Sequence, residues 1–178
     1  MSSQSVLRRP CAVIVMGVSG CGKSSVGAAI AERLDLPFIE GDVLHPRANV
    51  EKMSRGEPLN DDDRWPWLEE IGTRMADALD ANAGIVVSCS SLKRIYRDRL
   101  RDATGNRLTF VYLDGSRELL TGRMGARTGH FMPLSLLDSQ LATLEVPTGE
   151  PGVVTVSIDQ SVDAIVEEAL KGLAAIAE

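Results

Sequence analysis

The chain has 178 residues, 44% of them hydrophobic but only 4% aromatic, and carries a formal charge of −6. That length supports one well-buried core filled mainly by aliphatic side chains. That negative charge argues against an extended nucleic-acid surface, which needs a basic face, and no stretch is apolar enough to span a bilayer.

The N-terminal stretch, with its early Arg8, Arg9 and Pro10, lacks the apolar core of a signal peptide. Cys11, Cys21 and Cys89 are an odd number without metal-ligand spacing, which predicts reduced thiols and a cytoplasmic protein. Charge is unevenly spread. Between Lys93 and Arg101 there are five basic residues against Asp98 alone, whereas after Arg127 the only Lys or Arg is Lys171. A locally basic middle in an acidic chain suits a small anionic ligand better than a polymer.

Apolar runs alternate with helical patterns along the chain, as in a parallel sheet covered by helices. Ala12–Met16 reads as a buried strand, and 24–34 as a helix with Val26, Ile30 and Leu34 on one face. Pro37 ends that unit and Phe38–Glu40 forms a second strand. A longer helix over 64–81 carries Leu68, Ile71, Met75 and Leu79 at spacings of three and four. Strands follow over 85–89, 108–113 and 153–158, with helices over 92–103, 117–127, 134–144 and 162–175. No repeat, low-complexity tract or long linker interrupts the pattern. The expectation is a single three-layer α/β domain over 1–178 with a five-stranded parallel sheet.

Between the first strand and first helix stand Gly17, Val18, Ser19, Gly20, Cys21, Gly22, Lys23 and Ser24. This is the P-loop pattern of Gly, four residues, Gly, Lys and Ser or Thr, in the strand–loop–helix setting it needs. Glycines let successive backbone N–H groups curl around an anionic phosphate, and the following helix adds the positive end of its dipole. Lys23 is expected to reach the β- and γ-phosphates of ATP, and Ser24 to ligate Mg²⁺. The motif alone does not separate kinase, GTPase, ATPase and regulatory switch.

Further residues narrow the choice. Asp42 and His45 follow the second strand, where ligands collect in an open α/β sheet. Asp42 could orient or deprotonate an acceptor hydroxyl, or support the metal through water, and His45 could hydrogen-bond the acceptor. Both also fit a plain turn before a helix that begins after Pro46. In the run Asn60 to Leu68, Asp61, Asp62 and both tryptophans read as structural, with an Asp as N-cap and Trp67 as a core anchor. Arg64 is a candidate for holding a carboxylate. Lys93, Arg94 and Arg97, at a Ser-rich helix start, are further candidates for an anionic group, whereas Arg99 and Arg101 read as surface residues. The third strand lacks the acidic residue that many P-loop proteins place at its end to support Mg²⁺; if it neighbours the first strand, Asp42 takes over that part. Arg123 and Arg127 lie four apart on a glycine-punctuated segment that could close over the triphosphate, with His130 just beyond.

Five blocks, GVSGCGKSS, GDVLHPRANVEKMSRGEPLNDDDRWPWL, SCSSLKRIYRDRLR, FVYLDG and RTGHFMPLSLLDSQLATLEVP, together resemble the gluconate kinase family. The resemblance runs from about Ala12 to Pro147, and the second and last blocks carry most of its specificity. It implies a nucleoside-monophosphate-kinase-like P-loop fold with a mobile lid over about 123–147, a homodimer, and ATP-dependent phosphorylation of D-gluconate. On that reading Gly17 to Ser25, Arg123 and Arg127 bind ATP; Lys23, Asp42 and Arg127 are catalytic. Asp42, His45, Arg64, Lys93, Arg94, Arg97 and His130 then form the acceptor site. The rivals are another small-molecule kinase, such as a shikimate-type enzyme, and a non-catalytic nucleotide switch. A GTPase would carry a guanine-reading Asn-Lys-x-Asp, which the sequence lacks.

Overall fold

The computed structural model describes residues 11–126 and 134–177. At its centre lies β1 (Ala12–Met16), buried along its whole length on both faces. It pairs in parallel with β3 (Ile85–Ser88) on one side and β4 (Leu108–Asp114) on the other. β2 (Phe38–Glu40) extends the sheet beyond β3, and β5 (Val153–Ser157) extends it beyond β4. The order is β2-β3-β1-β4-β5, with all strands parallel. A β-branched strand enclosed by two neighbours and two helical layers is what the apolar run AVIVM dictates. The five-stranded parallel sheet expected of a nucleoside-monophosphate-kinase-like P-loop fold is present.

The helices are α1 (Lys23–Leu34), α2 (Arg47–Ser54), α3 (Asp61–Asp80), α4 (Arg94–Ala103), α5 (Arg117–Ala126), α6 (Leu134–Thr143) and α7 (Val162–Ala177). Right-handed crossovers assign them to faces. The connection from β1 runs outward to β2, and every later connection between strands runs the opposite way, so α1 covers one face and α3 and α4 the other. α7 returns to the first face, packing on β5 and α1. Neighbouring strands β1 and β3 therefore send their chains to opposite faces. This reversal opens a crevice at their carboxyl ends, the general position of ligand sites in such sheets. Across it the P-loop and the loop after β3 are joined by backbone bonds: Gly17 N–H donates to Ser90 O at 3.3 Å and Cys89 N–H to Val15 O at 3.1 Å.

α3 starts three residues earlier than the expected 64–81. Asn60 accepts from the Asp63 N–H at 2.8 Å while the Asp63 carboxylate accepts from the Asn60 N–H at 2.9 Å. This reciprocal capping box makes Asn60 the N-cap in place of an Asp and starts the helix at Asp61. α4 starts two residues later than expected, at Arg94. A 3₁₀ turn over Gly41–Leu44 leads toward α2.

Candidate active site

Three P-loop glycines, Gly17, Gly20 and Gly22, have φ of 148°, 84° and 92°, in the region that favours glycine. Val18 and Cys21 turn their side chains into the core, so they present only main chain to a ligand. Lys23 Nζ donates to Val18 O at 3.1 Å, folded back on its own loop. Ser24 and Ser25 are exposed on the first turn of α1. Arg123 reaches the same loop from α5: a Cβ built on Gly22 would lie 4.0 Å from its Nη1, while its Nη2 donates to Ile158 O at 2.7 Å.

Beside the loop is a cavity of about 230 Å³. Ser19 and Lys23 line it on the loop side; Asp42, His45 and Arg64 line it opposite. Asp42 is held by its neighbour. A Cβ on Gly41 would fall 2.1 Å from Ser88 O, so only glycine lets the end of β2 press this closely on β3. Gly41 N–H donates to Ser88 Oγ at 3.3 Å, and Trp67 Nε1 donates to Gly41 O at 2.8 Å. Trp67, buried as the expected core anchor, thus also fixes the backbone that carries Asp42 into the cavity. β3 does neighbour β1, which meets the condition under which Asp42 is the favoured carboxylate near the metal.

His45 stacks on Trp67 with ring centroids 4.0 Å apart and planes inclined by 17°. Burial pulls its pKa down to about 4, opposed by the Asp42 charge and reinforced by Arg64. Asn49, itself buried, brings its Nδ2 to 3.1 Å from His45 Nδ1 and donates to Asp63 O at 2.8 Å. An amide nitrogen only donates, so Nδ1 accepts and the neutral ring carries its proton on Nε2.

Arg64 is buried, and its Nη1 donates to Tyr96 Oη at 2.9 Å. The Tyr96 hydroxyl donates in turn to Asp61 Oδ1, which also accepts from Lys93 Nζ at 3.0 Å. The Tyr96 bond first, and then Lys93, hold the Asp61 carboxyl below the usual range. Asp61 is thus structural, as expected: it anchors the Tyr96 hydroxyl that positions Arg64. The sequence signal was present, since Asp61 and Arg64 share one helical turn, but Tyr96 and Lys93 come from a distant element.

Arg97 requires a correction. Expected to face the acceptor, it is completely buried and its guanidinium is spent on protein. Nε and Nη2 donate to Glu150 at 3.0 and 2.5 Å, Nη1 donates to Ser91 O and Leu92 O, and Nη2 also donates to Glu145 O. Arg101 is likewise no surface residue, bonding Glu150 at 3.0 Å. Lys93 is engaged with Asp61, and Arg94 is exposed beside Asp98; neither lines the cavity. Arg127 and His130 lie outside the described residues. From α6 come Leu136, Ser139 and Gln140, which line the cavity and were not singled out in the sequence.

The donor set suits Mg²⁺. This ion keeps several waters and binds through few protein oxygens plus substrate phosphates, and the exposed Ser24 hydroxyl on the loop and the Asp42 carboxylate lining the cavity are oxygens of that kind. Among the described residues no group of three or more His, Cys, Asp or Glu forms a metal cluster. No described helix is long and apolar enough to cross a membrane.

Residues 13–147 match the AAA domain family. The chain is 48% identical to a gluconokinase of Gluconobacter oxydans over 163 residues, covering 92% of this chain and 91% of the relative. It is 46% identical to a probable gluconokinase of Schizosaccharomyces pombe, over 88% of this chain and 84% of the relative. The crystal structure of a gluconokinase from Sinorhizobium meliloti 1021 superposes with a TM-score of 0.88 at 58% identity, covering 96% of this chain and 95% of the other. With a P-loop at the strand reversal and a cavity beside it, and with identities of this size over most of its length, the chain belongs to the gluconokinase family of P-loop kinases.

Proposed function

We propose that this protein transfers the γ-phosphoryl group of ATP to D-gluconate, forming 6-phospho-D-gluconate. The observation that carries the reading is the shared cavity. Two phosphate-side residues, Ser19 and Lys23, face the same space as a carboxylate (Asp42), a neutral imidazole (His45) and a buried cation (Arg64). A polyol acid offers one group for each: its carboxylate for Arg64, hydroxyls for His45, and a terminal hydroxyl for Asp42.

ATP lies along Gly17 to Ser25, with Arg123 over the loop and Lys23 on the β- and γ-phosphates. A second cavity, of about 280 Å³ between Asp114 to Ser116 and Ser157 to Asp159, adjoins the Arg123–Ile158 contact and suits the adenine. Ser24 and water would hold Mg²⁺, which would supply positive charge against the phosphates. Asp42 orients the attacking hydroxyl and accepts its proton as the bond to phosphorus forms. The transition state is loose, so positioning matters more than base strength. Arg123 and Arg127 stabilise the transferring charge as the segment around 123–147 closes, with His130 joining the acceptor side. The enzyme works as a cytoplasmic homodimer of single-domain subunits.

ADP formation by the wild type with gluconate, glucose, shikimate and AMP tests the substrate. Gluconate should stimulate far more than the others; equal rates on glucose, which lacks the carboxylate, would refute acid recognition. Asp42→Asn should lower kcat by about 10²-fold or more while ATP still binds, the usual range for losing a general base. Arg64→Leu should raise KM for gluconate at least ~10-fold, the effect of losing a charge-assisted pair, and abolish the preference over glucose.

A further inference from the structure

Of the P-loop residues Gly17 to Ser24, Ser19 and Lys23 are the two that line the acceptor cavity. In-line transfer places the terminal phosphate between the loop and the attacking hydroxyl, so donors on this side of the loop meet the γ-phosphate. Both donors of Ser19 are engaged by one side chain. Its N–H donates to Gln140 Oε1 at 2.8 Å and its Oγ donates to the same oxygen at 3.1 Å. Gln140 stands on α6, 121 residues further along the chain, and lines the cavity itself. A single partly negative amide oxygen thus occupies the donors that an anionic phosphate oxygen would take.

A γ-phosphate oxygen forms charge-assisted bonds roughly twice as strong as those of a neutral amide, so it displaces Gln140 from Ser19. The displaced side chain has two N–H donors on its other terminal atom. Rotation about its last bond presents them to the phosphate that took its place. ADP has no γ-phosphate and leaves the Ser19–Gln140 contact intact.

We propose that Gln140 is a catalytic residue that contacts the γ-phosphate: it covers the Ser19 donors in the empty site, yields them to ATP, and donates its amide N–H to the transferring phosphoryl group. The inference deepens the phosphotransfer reading and rests on it.

The test compares wild type, Gln140→Glu and Gln140→Ala in the full chain. Calorimetry with Mg²⁺ and either ADP or a non-hydrolysable ATP analogue, without any sugar acid, gives the two affinities. Glutamate keeps the shape but sets a charge and no donor against the γ-phosphate, so analogue affinity should fall at least ~10-fold while ADP affinity stays within about 2-fold. Gln140→Ala should lower kcat for gluconate about 10-fold or more, as loss of one transition-state donor does, with KM for gluconate nearly unchanged. Gln140→Met, of similar length and without donors, replaces the alanine variant should that one fail to fold. Equal losses for both nucleotides, no loss for either, or a wild-type kcat in the donor-less variant would overturn the proposal. Because binding is measured without an acceptor, a wild type inactive on gluconate would refute the substrate reading and leave the nucleotide comparison to decide Gln140.

Discussion

His45 lines the cavity as a neutral ring whose proton position is set by Asn49. A neutral donor suits a hydroxyl and does not compete with Arg64 for a carboxylate. The chain contains two histidines, so His130→Ala leaves one ring to follow by NMR. Its titration midpoint should fall near 4 against an ordinary 6.5; a midpoint above 6 would contradict the packing on Trp67. The sign of the linked stability follows. The unfolded ring takes its proton near pH 6.5 and the folded ring only near 4, so the contribution is complete above 6.5 and drains as pH falls toward 4. At this scale the sequence was legible where a motif carries its own spacing, as for Gly17 to Ser24. Arg97 was illegible because its chemistry depends on Glu150, 53 residues further on. A basic residue at a Ser-rich helix start looks alike whether it faces a ligand or a buried carboxylate.

The first turn of α3 serves two purposes. It closes the Asn60–Asp63 capping box, and it carries Asp61 and Arg64 into the site. Lys52 Nζ, 2.7 Å from Asp63, ties α2 to the same turn. Asn60→Ala should cost about 1 kcal/mol in urea denaturation, the usual loss for a polar N-cap. It should also raise KM for gluconate, since fraying there loosens Arg64; an unchanged KM would mean that Tyr96 alone holds the arginine. The expected start at Arg64 fell short because the helix was read from the spacing of Leu68, Ile71, Met75 and Leu79, whereas the capping box lies further upstream. The turn at Asp42 and the helix after Pro46 were read only as an alternative and without an end, for a different reason. Their Val43 and Val50 are exposed, and Asn49 is the only residue buried in α2, so no apolar stripe marks them. β1, β3 and β4 were read closely because they are largely enclosed, and enclosure writes itself as an apolar run; β5 instead alternates, burying Val154 and Val156.

Across the whole molecule, Arg97, Arg101 and Glu150 form an ion cluster almost without water access, the Glu150 side chain being 4% exposed. Burial alone would raise the Glu150 carboxyl, but the hydrogen bonds and charges of both arginines outweigh it and leave it below its ordinary value. Glu150→Ala should destabilise by about 3–5 kcal/mol, because it strands buried cations without their partner. A folded pKa below the unfolded one gives stability that is present above about 4.5 and lost as pH falls below it. The stability gap between wild type and variant should therefore shrink in denaturation at acid pH; a constant gap would deny the ion pairs their part.

The Arg97 guanidinium also gathers carbonyls from two segments: Ser91 and Leu92 from the loop after β3, and Glu145 just beyond α6. Leu92 and three residues of α6 line the cavity beside the P-loop, so a buried cation ties together the two segments that lead into it. A saturation screen scored by growth would rank Arg97 beside Lys23 and tempt its assignment as a gluconate contact. Soluble yield separates them. Loss at Lys23 should leave abundant inactive protein, whereas loss at Arg97 should empty the soluble fraction.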